Sequence, residues 1–246
     1  PSGVSGGSKL TKITDGAVSF DGSGDYLSCD SSDFAFGTGD FTVEAYVHCP
    51  VLANYRTIAT TRYDNGSFSD AWHIGLYANG KIVLYSNEDD LITPAGSSPQ
   101  NRWFHIAVTR SSSAAKMFVD GRLVVSGTVT KDYTRTLLGI GDFAGGQAEP
   151  MLGQISNLRI IKGSVPTEYQ TSSTTAGTQI FTPPTRELTN VTNTKLLCCQ
   201  SNTSANLAGI SPATFSNSGT VYSSNYAASD SFQATAPATN GFDGNI

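Results

Sequence analysis

Between Phe41 and His48 the chain alternates without a break. Phe41, Val43, Ala45 and Val47 fall on one side, and Thr42, Glu44, Tyr46 and His48 on the other. A side-chain period of two belongs to an extended strand, and no helix can keep it. The pattern predicts a strand with one face on a core and a more polar face outward. Just upstream, Val18 and Phe20 flank Ser19, the run Asp21-Gly22-Ser23-Gly24-Asp25 reads as a tight turn, and Tyr26 and Leu27 resume the strand. The stretch from Gly16 to Pro50 therefore supplies two short strands and a long one, expected at the centre of the sheets.

The same grammar recurs downstream. Tyr55 to Thr61 reads as a strand, followed by a loop from Tyr63 to Asp70 rich in Asp, Asn, Gly and Ser. Ala71–Ala78 and Lys81–Ser86 flank Asn79-Gly80, a strong hairpin signal. Residues 87–101 read as a polar loop. From Arg102 to Arg110, Phe104, Ile106 and Val108 share one face, and Trp103, His105, Ala107 and Thr109 the other. Lys116 to Ser126 form a second hairpin turning at Asp120-Gly121, and Leu137 to Gly141 a short apolar strand. Gly153 to Gly163 closes the series, with Ile155, Leu158, Ile160 and Ile161 as core candidates. Short strands between frequent turns, with no helical period, predict an all-β antiparallel sandwich of jelly-roll type.

A chain of 246 residues is long enough for one large β domain, and 38% hydrophobic against 14% charged residues marks it as globular. Residues 1–15 are Gly/Ser-rich and read as a leader or linker, and residues 16–163 as the sandwich. Residues 164–194 read as an extended Thr/Pro-rich arm lying on the domain. Residues 195–246 read as a strand that completes the sandwich, followed by a Ser/Asn-rich extension with a weak strand near Gly219. The net charge of −5 with scattered basic residues gives no nucleic-acid face. No run approaches the roughly 20 apolar residues of a membrane span. With no signal peptide and Pro1 first, the sequence reads as a processed product or a piece of a longer chain. Cys29, Cys49, Cys198 and Cys199 lack metal-type spacing. Cys198 and Cys199 are expected to point to opposite faces of a strand, and Cys29 and Cys49 to be either bridged or free and buried.

Taken in order, the runs Ser19–Leu27, Gly37–Val47, Trp72–Leu76, Asn79–Ile82, Arg102–Arg110, Phe118–Val124 and Gly153–Ile160 make residues 16–163 resemble the laminin-G-like, concanavalin A-like lectin/glucanase superfamily. Gly153–Gly163, the FTPPT run at 181–185 and the TNTKLLCCQ run at 192–200 are similar to laminin-G-like modules in virion proteins of marine bacteriophages. This resemblance implies a non-enzymatic structural or adhesion module of a virion tail, fibre or capsid. Its end loops would bind a host-surface glycan or neighbouring virion subunits, and its arm could build a homo-oligomer. The alternative is a secreted carbohydrate-binding module of a larger enzyme or surface protein. The strand with which many family members open has no counterpart before residue 16. Lys195 onward matches it instead, and either closes this domain, the preferred reading, or begins a second copy.

Asp21 and Asp25 bracket the glycine turn and offer hard oxygen ligands suited to Ca2+, or simply cap their own turn. The resemblance implies a structural calcium there, with Asn157 standing where the family carries an acidic residue. Asp64, Asn65, Asp70, Asn87, Asp89 and Asp142 lie in three polar loops expected to gather at the sheet ends as a ligand surface. Trp72, Tyr77, Tyr85, Trp103 and Tyr133 are either sugar platforms or core. Glu44 has no second carboxylate on its strand face, which excludes the paired acids of a retaining glycosidase. His48, His73 and His105 sit in separate strands and read as ordinary packed or surface histidines.

Overall fold

The computed structural model describes residues 16–64, 66, 68–146, 149–219 and 221–224. The expected leader at 1–15 and most of the terminal extension lie outside them. The strands run β1 (Ala17–Asp21), β2 (Tyr26–Asp30), β3 (Phe41–His48), β4 (Arg56–Thr60), β5 (His73–Leu76), β6 (Ile82–Tyr85), β7 (Asp89–Ile92) and β8 (Trp103–Ser111). They continue with β9 (Ala114–Val119), β10 (Arg122–Thr128), β11 (Leu137–Ile140), β12 (Leu152–Lys162), β13 (Thr194–Cys198), β14 (Ala208–Ile210), β15 (Ser216–Ser218) and β16 (Tyr222–Ser224). One sheet, called A here, has the order β10-β9-β8-β3-β12-β1-β16, with β13 also on β12 and β14 on β13. The other, sheet B, has the order β15-β2-β11-β4-β5-β6-β7. The ladders are antiparallel, and the two sheets make the expected jelly-roll-like sandwich. No helix of the described residues is long and apolar enough to cross a membrane.

The alternating faces meet as predicted. Phe41, Val43, Ala45 and Val47 enter the core with Phe104, Ile106 and Val108 of the neighbouring strand. Ile74, Leu76, Ile82 and Leu84 face them from sheet B. The second hairpin turns at Asp120 (φ 48°) and Gly121 (φ 77°), the two left-handed positions that suit a tight antiparallel connection. A Cβ on Gly121 would also lie 1.9 Å from the Phe181 carbonyl oxygen.

Four details differ from expectation, each because a distant partner decides it. All eight residues of β3 are buried, the outward Thr42, Glu44, Tyr46 and His48 included. The covering comes from residues 164–193, which cross the outer face of sheet A and pack Val165, Tyr169, Ile180 and Phe181 against Ala107, Phe118 and Leu123. The expected loop at 87–101 contains β7, whose Leu91 is buried opposite Leu84. The weak strand near Gly219 is two strands, β15 on sheet B and β16 on sheet A, with Gly219 (φ 71°) between them. Cys198 and Cys199 do not point apart. Cys199 is left-handed (φ 62°), both thiols enter the core, and their sulfurs lie 3.5 Å apart. All four cysteines are free and buried.

Two strands share one edge of β12. Its first half pairs with β1 (Val18 with Ile155, Asp21 with Leu152), and its second half with β13 (Leu158 with Cys198). The changeover is a bulge in which Asn157, left-handed at φ 52°, and Leu158 together oppose Ala45. The extra residue lets Ile155 and Leu158 both reach the core while Arg159 stays opposite Glu44.

Candidate functional site

The arm covers the centre of the outer face of sheet A, with open pockets of about 610 and 350 Å³ along it. Beneath it Glu44 Oε1 accepts from Arg159 Nε at 2.8 Å, and Glu44 Oε2 accepts from Tyr169 Oη at 2.5 Å. The same Oε2 lies 3.2 Å from His105 Nε2. Burial alone would raise the Glu44 carboxyl, but the His105 bond, the charges of His105 and Arg159, and the Tyr169 hydroxyl together hold it below its ordinary value. Arg159 Nη1 donates to the Thr189 carbonyl, and the Tyr46 hydroxyl to that of Pro184. Glu44 is thus a fastening for the arm.

The outer face of sheet B is different. Because Ile74, Leu76, Ile82 and Leu84 point inward, alternation puts His73, Gly75, Tyr77, Val83 and Tyr85 outward. The loop after β11 folds onto this face. Its Phe143 ring lies 4.3 Å from the Arg62 guanidinium, which also covers Phe68 at 4.5 Å and Tyr85 at 5.0 Å. Glu149 stands 3.8 Å from Arg62 and 3.3 Å from His73 Nε2. His73 is 1% exposed, and burial, helped by the Arg62 charge, pushes it down to about 3. It is a neutral packed imidazole.

Further along, the Tyr77 hydroxyl donates to Asp89 Oδ1 at 2.9 Å, and burial with that carboxylate raises the phenol. The Tyr77 ring meets the Tyr55 ring edge-on at 4.7 Å. Tyr55 is 51% exposed. It stands over an open pocket of about 440 Å³ lined by Gly22, Asn54, Tyr55, Arg56, Ala78 and Pro150. An exposed aromatic ring beside amide and guanidinium groups suits a ligand with one apolar face and a polar rim.

The residues singled out from sequence are scattered around this surface. Asp21 Oδ1 accepts from its own Ser23 N–H, and buried Asp25 accepts from Asp21 N–H while touching Gly219. Asn157 is elsewhere. Asp21 pairs with Leu152, five residues before Asn157 on β12, a separation on the order of 15 Å. Asn157 Oδ1 instead accepts from Leu188 N and Gln200 Nε2. The three do not converge on one calcium ion. Among the described residues no group of three or more His, Cys, Asp or Glu could hold a metal.

Asp64 accepts from Gly66 N–H within its own turn, and Asn65 lies outside the described residues. Asp70 is held by Arg135 at 2.8 Å, which lowers its carboxyl. Asn87 occupies a left-handed turn position (φ 67°). Asp142 is fully buried, bracing its loop through the N–H groups of Phe143 and Glu149. Of the six, Asp89 is the one that reaches the Tyr55–Tyr77 pair. Of the aromatic candidates Trp72, Trp103 and Tyr133 are core, and Tyr77 and Tyr85 stay near the surface. Sequence reasoning missed Asn54, Tyr55 and Arg56, whose one signal was a tyrosine placed just before a strand and after a loop.

Residues 21–168 match the sequence model of the family described as the concanavalin A-like lectin/glucanases superfamily. No curated protein sequence matches the chain. Among solved structures, a candidate carbohydrate-binding protein from Bacteroides ovatus is similar at 17% identity with TM-score 0.59, over 93% of this chain and 67% of that one. The native heptameric SAP-like pentraxin from Limulus polyphemus aligns at 14% identity and TM-score 0.53, over 87% and 96%. The Ruminococcus gnavus IT-sialidase CBM40 bound to α2,6-sialyllactose aligns at 14% and 0.51, over 63% and 94%. At such identities the likeness is one of fold.

Proposed function

This chain belongs to the concanavalin A-like lectin/glucanases superfamily, and from that membership we propose a non-catalytic glycan-binding module of an extracellular protein. The observation that carries the reading is the Tyr55 ring, half exposed beside Tyr77 and Asp89 at the mouth of the pocket. A sugar ring presents C–H faces and a girdle of hydroxyls. Tyr55 offers the apolar plane, and Asn54 and Arg56 in the pocket lining offer partners for hydroxyls. Two proteins sharing this fold are described by carbohydrate binding, which favours the secreted binding module, the alternative at the sequence level, over the virion component that is the main reading there. Nothing in these relatives points to a phage particle.

The test is a glycan array followed by titration calorimetry of the strongest hit. Tyr55→Ala is expected to weaken binding about tenfold, equivalent to ~1.4 kcal/mol. Its stability should change by no more than about 0.5 kcal/mol, as for most surface substitutions. Full affinity in the variant would move the site elsewhere, and a dark array would end the glycan reading.

A further inference from the structure

The pocket beside Tyr55 contains a charge that the fold leaves unmatched. Arg56 is 6% exposed, yet its guanidinium makes one hydrogen bond, from Nη1 to the Pro150 carbonyl at 2.8 Å. Its Nε is buried with no partner. No carboxylate of the described residues pairs with it. The other buried arginines are served differently. Arg159 pairs with Glu44, and Arg62, whose Nε is likewise buried without a partner, still has the Glu149 carboxylate at 3.8 Å and three aromatic rings around it. Arg110 donates to the carbonyls of Gly37, Gly39 and Lys131 and lies over Phe41 and Tyr133. A guanidinium has five donors and stays charged at any working pH, so a buried one with a single acceptor is costly. Its planar fork matches a carboxylate through two parallel bonds. Asp21, next to the lining residue Gly22, turns its carboxylate back to Ser23 N–H at 2.7 Å.

We propose that this pocket binds an acidic sugar, a uronic or sialic acid residue, with its ring against Tyr55 and its carboxylate on Arg56. The inference rests on the glycan reading above and gives it a substrate class. The experiment titrates the full chain with two matched pairs: oligogalacturonate against its methyl ester, and sialyllactose against lactose. At least one acid is expected to bind ten times or more tighter than its neutral counterpart, and the responding pair tells uronate from sialate. That preference should shrink in high salt and disappear in Arg56→Gln. Equal binding within both pairs overturns the acidic class and leaves the glycan reading intact. So does a preference that survives Arg56→Gln in a folded variant. The acid-against-neutral comparison needs no variant and holds even where Arg56→Gln fails to fold. Silence from all four probes overturns the inference, and a dark array beside it takes the glycan reading down as well.

Discussion

Glu44 holds three partners in a space closed to water, and removing its charge strands Arg159, which is 3% exposed. Glu44→Gln should cost roughly 3–5 kcal/mol in urea unfolding, the range for breaking a buried pair from one side. An unchanged midpoint would mean that water or the arm compensates. Because the folded carboxyl titrates below its ordinary value, its contribution is present above about pH 4.3 and lost as the pH falls through the folded value. His73 acts in a higher window. Folded, it titrates at about 3 against roughly 6.5 in the unfolded chain. The unfolded state therefore takes the proton first. The stability from His73 is complete above about pH 6.5 and declines from there toward pH 3, by up to ~1.4 kcal/mol per pH unit. His73→Gln should flatten that slope in urea melts run at stepped pH. A slope equal to the parent's would place the acid sensitivity in other groups.

The arm is an element without a sheet of its own. A 3-10 turn at Thr167–Tyr169 delivers the Tyr169 hydroxyl to Glu44, and Asn157 clips the far end through Leu188 N–H. Tyr169→Phe keeps the ring among Phe118, Phe181 and Val165 but leaves a buried carboxylate oxygen one donor short, a loss of about 1–3 kcal/mol. Amide exchange in residues 164–193 should then accelerate while β3 and β8 stay protected. Equal acceleration in both would show that arm and sheet open as one unit. Elements like this divide the legible from the illegible. β3, β8 and the two hairpins could be read directly, because alternation and Asn-Gly or Asp-Gly turns are local signals. The arm's cover over Glu44, the strand at Leu91 and the split around Gly219 could not, because each is specified by partners scores of residues away or on the other sheet. The site followed the same rule. Asp64, Asp70 and Asp142 looked like ligand groups by composition, and in the fold each has an oxygen accepting from a nearby N–H group or from Arg135. Tyr55 and Arg56 carried only the pattern of a strand start, which names no ligand.

At the scale of the molecule the two faces are unequal, one crossed by the chain's own arm and the other carrying Tyr55 and Tyr77. The core also stores all four cysteines as free thiols, and burial raises Cys29, Cys49 and Cys198 above the ordinary thiol range. Native protein should give almost no colour with a thiol-reactive disulfide reagent at pH 8, and the denatured chain should release the signal of four. Rapid native labelling would contradict the packing around these sulfurs. The described chain also enters and leaves this body at one place, since Ala17 lies opposite Ser224 in the ladder between β1 and β16, about 5 Å apart. A host protein could receive the whole sandwich in a surface loop as a bead is threaded, without parting its own backbone. Tension along such a host would peel that one short pair open bond by bond and leave the Tyr55–Tyr77 pair on the other sheet undisturbed.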